Sequence, residues 1–480
     1  MMSDVEKTVA QAMIGQDKAN VLMTDGYKFS MAQAGFPLRD ETFYLSFRRP
    51  GRYYIPFDLQ KIVNLLRPDP NSILRLGETS FPAQWGYGLT LAMGQSLRGA
   101  LKVWCAPKGS WVREREPILT VTGPSFLVSW LEPMLIWLQF PIQVATECLL
   151  SKHSIFNCTC KSEMAIVMEV IQAIQYSETV RVKPDPKGYA KRVRAHAKSL
   201  VQAAGRDRVF EVGMRSATCM EMHEIALRAC QKAGIEATSN VYLARQLGMR
   251  PVGTTGHEHQ QRWGDDLTAF RAIRDMRSQT PSYLFDTYDT MGKGIPAAIK
   301  AMFESQRPAS VRFDSGDQEV QLRRFVEVEQ THGIRPGYIF MDGINADKIR
   351  FFENLIDGLG VLPTRCQYGS GGFLICDPAD TPLTRNRVSA VYKLCQSTGI
   401  PVMKFSVPSK SSIPGRPIIF RRTTSKLNVA GLIGQEGEEP PFGSVELQPQ
   451  DECPEQILEG DIGESRETTR LIREVKERLQ

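Results

Sequence analysis

The chain has 480 residues, 42% hydrophobic and 23% charged, the balance of a soluble globular protein and not of a disordered or fibrous one. A net charge of +6 is too small to imply nucleic acid by itself, but it suits an anionic small substrate if the positive residues converge. Ten cysteines without a paired framework fit a reduced, cytoplasmic compartment, and Cys158-Thr-Cys160 lacks the second half of a zinc site.

In chain order, residues 1–11 carry acids and no apolar core, so no signal peptide is expected. Phe43–Phe47 alternates as a strand should and runs into the basic turn Arg48-Arg49-Pro50-Gly51. Residues 101–105, 110–113 and 118–122 are expected as strands of an antiparallel sheet, separated by Gly and Pro turns. The longest apolar stretch, Phe126–Val144, is interrupted by Glu132, Gln139, Gln143 and two prolines, which predicts a buried helix and no membrane span. Helical patterning follows over 143–150 and 164–176. The basic stretch 182–198, with Pro184, Pro186 and Gly188, is expected as an exposed insertion, or alternatively as an arm for nucleic acid.

Seven short runs then have the character of buried strands: 209–213, 237–241, 250–254, 283–286, 311–314, 338–342 and 365–369. Most steps between them are about 28 residues, enough for a strand, a helix and two loops, although the third follows the second more closely. Such a train predicts a barrel of parallel strands over about 156–386, with chemistry at the strands' carboxyl ends. Beyond it, 401–406 is expected as a strand, the region from Gly434 turns acidic and Pro-rich, and 464–480 patterns as a peripheral helix.

The strand ends carry the candidate chemistry. Gly369-Ser-Gly-Gly372 and Asp342-Gly343 are either plain turns or backbone cradles for phosphate. Asp286, Asp289, Asp314 and Asp317 suit magnesium bound together with substrate phosphates, ribose hydroxyls, or the capping of the helices that follow. Arg312 lies two residues before Asp314, so both point to one side of an extended strand. His257, after a strand and two glycines, is a candidate acid, base or nucleophile, or a structural histidine. There is no Walker loop and no dinucleotide fingerprint after a strand. Unaided, the residues imply an enzyme of phosphorylated sugars with an unspecified reaction.

From Leu22 to about Arg422 the same motifs resemble, in order, those of the nicotinate phosphoribosyltransferases, of which nicotinamide phosphoribosyltransferase is a close relative. They are Met23-Thr-Asp-Gly-Tyr-Lys28, Glu211-Val-Gly-Met-Arg215, Thr238-Ser-Asn240, Gly253-Thr-Thr-Gly-His257, Phe285-Asp-Thr-Tyr-Asp289, Arg312-Phe-Asp-Ser-Gly316 and Gly369-Ser-Gly-Gly372. The resemblance implies an α/β fold: an irregular TIM-like (β/α) barrel over 151–390, with an α+β domain built from residues 1–150 and the C-terminal segment 391–480. It implies transfer of a phosphoribosyl group from 5-phosphoribosyl 1-pyrophosphate to nicotinate, with ATP and Mg2+, in a homodimer with shared sites and without nucleic acid or membrane. Tyr27 would enter the neighbouring subunit's site and stack on the ring, and Arg215, Ser239 and Arg312 would bind substrate. Asp286 and Asp314 would serve ribose, pyrophosphate or magnesium, and His257 would be phosphorylated by ATP. Gly343, Gly371 and Gly372 would hold the 5-phosphate, while Arg48, Arg385, Lys393, Lys404 and Lys410 would line the pyrophosphate channel, several from the partner subunit.

Ser239 separates the two branches, since the nicotinamide enzyme has an aspartate there that accepts from the amide. A hydroxyl can donate to nicotinate, whereas a carboxylate would repel it. Val212 stands where the family commonly has an aromatic second face for the ring. The alternatives are nicotinamide as substrate, or a catalytically silent homologue that binds phosphoribosyl ligands or a partner protein.

Overall fold

The structure is a computed structural model that describes residues 4–35, 38–78, 87–151, 155–276, 280–305, 307–376, 385–422, 431–449 and 462–479. All seven central runs form strands, five of them shorter than their patterns: Val209–Glu211, Ala237–Thr238, Arg250–Pro251, Ser282–Leu284, Ser310–Phe313, Gly337–Phe340 and Cys366–Ser370. They make one parallel sheet in which the strand at 209 pairs with those at 237 and 366, and the ladder continues through 337 and 310 to 282. The sheet curls without closing. Among the described residues no ladder joins Arg250–Pro251 to Ser282–Leu284, so the expected full barrel is a half-barrel.

Helix His257–Trp263 lies between those two edge strands in the chain. Its Gln260 side chain donates to the Leu284 carbonyl at 2.6 Å, meeting a backbone group that a neighbouring strand would otherwise satisfy. The gap therefore holds the histidine helix.

Strand alternation decides what faces the cavity. Phe313, Tyr338, Phe340 and Tyr368 are fully buried on the helix side of the sheet, where Phe313 and Phe340 stack at 5.0 Å and Phe340 meets Phe352 at 4.2 Å. The intervening Ile339 and Met341 join Phe210, Ala237, Val212 and Val252 in an apolar lining on the concave side. Arg312 and Asp314 share that concave phase, as their spacing predicts.

A second, antiparallel sheet mixes the two ends of the chain. Asp40–Phe47 pairs with Leu119–Pro124 on one side and with Ala390–Ser397 on the other. Thr120 Oγ1 donates to the Pro417 carbonyl at 2.6 Å, which seats the third sheet, around Pro417–Arg422, against the second. Residues 125–151 form three consecutive helices rather than one, and they are mostly buried. The nine described cysteines are free.

The basic stretch expected as an exposed insertion is regular: Arg181–Pro184 is a strand and Pro186–Ala204 a 19-residue helix. Pro186 occupies the first turn, where its missing N–H costs nothing, and Asp185 caps the helix by accepting from Gly188 N at 2.9 Å. The face Tyr189, Val193, Ala197, Leu200 is buried, while Lys187, Lys191, Arg194 and Lys198 face solvent. The expected strand at 401–406 shrinks to Ile400–Pro401. Beyond it the backbone turns away from the ladder: Phe405 N and Ser406 N both approach the Thr287 carbonyl at 3.3 Å, and Lys404 and Ser412 close the loop on each other.

Candidate active site at the mouth of the curled sheet

One cavity of about 970 Å³ opens at the carboxyl ends of the strands and continues along the concave face. Its lining includes Tyr27, Arg48, Arg215, Ser239, His257, Arg312, Asp314, Gly343, Gly371, Gly372, Lys393, Lys404 and Lys410. Asp286 lies just behind it, fully buried and joined to Lys404. Arg385 begins a short helix, but its side chain lies outside the described residues. Tyr27, Arg48, Lys393, Lys404 and Lys410 thus reach the cavity of their own chain, where the resemblance implies several of them for a neighbour's.

His257 begins its helix and is held from both ring nitrogens. Nδ1 lies 3.1 Å from Thr287 Oγ1, and Nε2 lies 2.8 Å from Lys404 Nζ and 3.4 Å from Asp314 Oδ2. A charged Lys404 can only donate, so Nε2 carries the lone pair and the proton sits on Nδ1, facing Thr287. Burial and the Lys404 ammonium push the imidazole down to about 4, outweighing Asp286 and Asp314. It is neutral at physiological pH.

Lys404 also donates to Asp286 Oδ2 at 2.9 Å, and the Ser315 hydroxyl donates to the same oxygen. Burial lowers the Lys404 ammonium against the pull of Asp286 and Asp314. Burial alone would raise Asp314, but Arg312, His257 and Lys404 together hold it well below the usual carboxylate range. Arg312 donates to Asp314 Oδ1 at 2.8 Å, Thr254 Oγ1 at 2.7 Å and the Thr255 carbonyl at 2.6 Å. The other two acids are caps: Asp289 accepts from Gly292 N at 2.9 Å, and Asp317 from Glu319 N and Val320 N at 3.1 Å.

His257, Asp286 and Asp314 can each offer a ligand atom within 4.8 Å of the others, and Asp286 Oδ1 is buried without a hydrogen-bond partner. Two carboxylates in such proximity offer oxygen ligands of the kind magnesium takes.

Across the cavity the cations stand apart. Arg48 and Lys393 have no ion-pair partner among the described residues, and burial, Arg48, Arg215 and Lys404 bring the Lys393 ammonium down to about 7 despite Glu132. Lys410 reaches Asp342 Oδ2 at 2.9 Å. Gly343 has φ +67°, a conformation that favours glycine, and a side chain at Gly371 would press on the Val212 carbonyl at 3.0 Å. Both glycines leave backbone open to the cavity.

At the early strands, Gly26 N donates to the Ser239 carbonyl at 2.7 Å and Val241 N to the Thr24 carbonyl at 3.2 Å, which zips the loop carrying Asp25 and Tyr27 onto the strand end. The Tyr27 ring packs against Gly256, its hydroxyl donates to Glu132, and Arg215 lies 5.8 Å over its face. Ser239 Oγ is buried without a hydrogen-bond partner. Val212 lines the cavity with its aliphatic side chain. Sequence reasoning missed Asp25, Lys28 and Glu132. Their signal was present: Lys28 and Asp25 flank Tyr27, and Glu132 is the only charge inside the apolar stretch.

The chain is similar in sequence and fold to known proteins. Residues 208–430 match the model of the nicotinate phosphoribosyltransferase (NAPRTase) family. A nicotinate phosphoribosyltransferase of Mycobacterium tuberculosis is 26% identical over 437 residues, covering 88% of this chain and 79% of that one. One of Bacillus subtilis is 28% identical over 225 residues, 45% of this chain and 44% of that one. In fold, the crystal structure of nicotinate phosphoribosyltransferase from Porphyromonas gingivalis aligns with a TM-score of 0.57 at 19% identity, covering 82% of this chain and 96% of that one. The enzyme of that name from Vibrio cholerae aligns with 0.56 at 20% identity, over 84% and 92%. The chain is thus similar to nicotinate phosphoribosyltransferases over most of its length, and residues 208–430 match that family's model.

Proposed function

We propose that the protein joins nicotinate to 5-phosphoribosyl 1-pyrophosphate, giving nicotinate mononucleotide and pyrophosphate, and couples this to ATP hydrolysis through a phosphorylated His257, as a cytoplasmic step of NAD salvage. The observation that carries the reading is a neutral imidazole, clamped by Lys404 and Thr287, in the same cavity as open glycine backbone and unpaired cations.

His257 Nε2 supplies the electron pair that attacks the γ-phosphorus of ATP, and the bond to the ADP oxygen breaks as the N–P bond forms. Lys404 already touches Nε2, so a small movement carries its ammonium from the nitrogen to the incoming phosphoryl oxygens. Asp314, kept ionised by Arg312, holds that guanidinium in place. In the transfer step the pyridine nitrogen attacks the anomeric carbon, and the electron pair of the breaking C–O bond leaves on pyrophosphate. Arg48 and Lys393 meet the charge that develops there, while amides at Gly371 and Gly372 take the 5-phosphate. Tyr27 gives the ring a stacking face and Ser239 Oγ donates to the carboxylate, with Arg215 beside both. When magnesium is bound, Asp286 and Asp314 would hold it and it would offset charge on the substrate phosphates.

Incubation with γ-labelled ATP tests the reading. Acid-labile phosphate is expected on His257, with nicotinate mononucleotide released on adding the other substrates. A His257→Ala variant that still couples ATP hydrolysis to product would overturn the role of the histidine.

One observation favours nicotinamide instead. Asp25 lies at the same end of the cavity with its carboxylate 3.8 Å from Arg215 Nε, and burial raises it to about 6 against Arg215 and the Ser239 hydroxyl. As a carboxylate it is a stronger acceptor for an amide than the Ser239 hydroxyl. Steady-state assays with each base decide between them.

A further inference from the structure

On the helix side of the curled sheet the late strands bury Phe313, Tyr338, Phe340 and Tyr368, but the first two strands bury Glu211 and Thr238 there instead, paired side by side. Phe210, Val212, Ala237 and Ser239 take the concave side, so alternation turns Glu211 and Thr238 away from the cavity. No lysine or arginine among the described residues pairs with the Glu211 carboxylate. It collects other donors: Thr238 Oγ1 donates to Oε2 at 2.5 Å, and Gly213 N donates to Oε1.

His223, from the helix Met220–Gln231, brings Nε2 to 3.2 Å from the same Oε1, off the straight line of a hydrogen bond. Asn240 fixes its tautomer. The Asn240 Oδ1 accepts from Leu243 N at 3.0 Å to cap the helix Val241–Leu247, so the amide nitrogen is what meets His223 Nδ1 at 3.0 Å. Nδ1 therefore accepts, and the ring proton sits on Nε2, toward Glu211. Glu211, His223, Thr238 and Asn240 are all fully buried. Apolar residues would fill this space at lower cost, as the aromatics of the late strands do, so packing alone is a poor reason for a buried carboxylate here.

Position explains it better. Gly213 lies two residues before Arg215, and Thr238 directly before Ser239. The Glu211 carbonyl also accepts from Ser239 N at 2.9 Å. One residue thus ties the turn that carries Arg215 to the strand end that carries Ser239, from the side opposite the cavity. We propose that Glu211 and Thr238 are positioning residues that set the spacing of Arg215 and Ser239, and through it affinity for the pyridine base and the choice of its substituent, with His223 orienting the carboxylate. The inference rests on the proposed function, in which Arg215 and Ser239 meet the base.

The test compares wild type with Thr238→Val, which keeps the shape and removes the hydroxyl, and Thr238→Ser, which keeps the hydroxyl. His223→Leu, one layer further from the cavity, serves where Thr238→Val does not fold. KM for nicotinate is expected to rise about tenfold in Thr238→Val and about threefold in His223→Leu, and to return toward wild type in Thr238→Ser. The ratio of kcat/KM for nicotinate over nicotinamide should fall with it, while KM for 5-phosphoribosyl 1-pyrophosphate and ATP-dependent labelling of His257 stay within about twofold. A purely structural role would impair all of these together and lower thermal stability. That outcome, or loss of fold in both variants, overturns the proposal. So does an unchanged KM for nicotinate, which leaves the functional reading intact as long as mononucleotide forms. A wild type that makes no mononucleotide from either base overturns both.

Discussion

The two sides of the cavity treat charge in opposite ways. Around His257 every charge is matched: Lys404 meets Asp286, Arg312 meets Asp314, and the imidazole is driven neutral between them. Toward Arg48 and Lys393 the cations stand without an ion-pair partner among the described residues, and burial together with neighbouring cations brings Lys393 down to about 7. Matched charges fix protonation states before substrate arrives, whereas unmatched cations await an anion. On the proposed function, the matched side activates a nucleophile and the unmatched side stabilises a departing polyanion.

Breaking the matched side has the largest expected effect. Lys404→Met removes the group that donates to His257 Nε2 and also leaves Asp286 without its cation. Loss of histidine phosphorylation by about 10²–10³-fold is expected in single-turnover assays with labelled ATP. The imidazole should also titrate higher than about 4, because the ammonium that lowers it is gone while Asp286 and Asp314, which raise it, remain. NMR titration of His257 reads this directly, and an unchanged value would mean that Lys404 does not set its protonation.

The unmatched side predicts a smaller effect with a different signature. Lys393 is charged below about pH 7 and neutral above it, so affinity for 5-phosphoribosyl 1-pyrophosphate should fall as pH rises through 7. Lys393→Met should raise KM for that substrate by about tenfold at pH 6 and flatten the pH dependence, while leaving ATP-dependent labelling of His257 nearly intact. A profile that keeps its slope in the variant assigns the titration elsewhere.

Smaller still is the effect expected at the base end. Asp25 is neutral below about pH 6 and ionised above, so nicotinate should bind better as pH falls through 6. The groups that face it are Arg215, Glu132, Glu211 and Ser239. Asp25→Asn should remove that dependence and shift the ratio of kcat/KM for nicotinate over nicotinamide upward by about 3–10-fold. An unchanged ratio would leave base choice to Ser239 and Arg215.

How legible each region was in the sequence follows from the range of its interactions. The parallel strands were visible because period-two alternation around Tyr338–Phe340 and Val311–Phe313 is local, and Arg312 and Asp314 inherited their side from it. Openness of the sheet was not, since closure depends on whether the strand at 250 meets the one at 282, a contact that no local pattern encodes. Pro186 left the basic stretch open for a local reason: proline breaks a helix interior but also starts a first turn. Asp286 and Asp289 looked equivalent in sequence, and only the positions of Gly292 and Lys404 made one a cap and the other a partner of the lysine. Lys28 and Glu132 were passed over because their partnership spans 104 positions, from 28 to 132, and buried pairs leave no periodic trace.

His257 belongs to the matched side and Lys393 to the unmatched side, and both face one cavity of one chain. Suppose instead that each site drew its histidine from one subunit and its lysine from another. Mixing inactive His257→Ala with a severe Lys393 variant, Lys393→Glu, would then form hybrids with one intact site, and random pairing would restore roughly a quarter of wild-type activity. With both groups from the same chain, every cavity in every hybrid retains one lesion. Mixing after dissociation and reassembly should therefore restore nothing, and wild-type specific activity should stay constant on dilution through any monomer–dimer equilibrium. Restoration near a quarter would show that the two sides meet across an interface, and would turn the unpaired state of Arg48 and Lys393 from a property of the chain into one of the assembly.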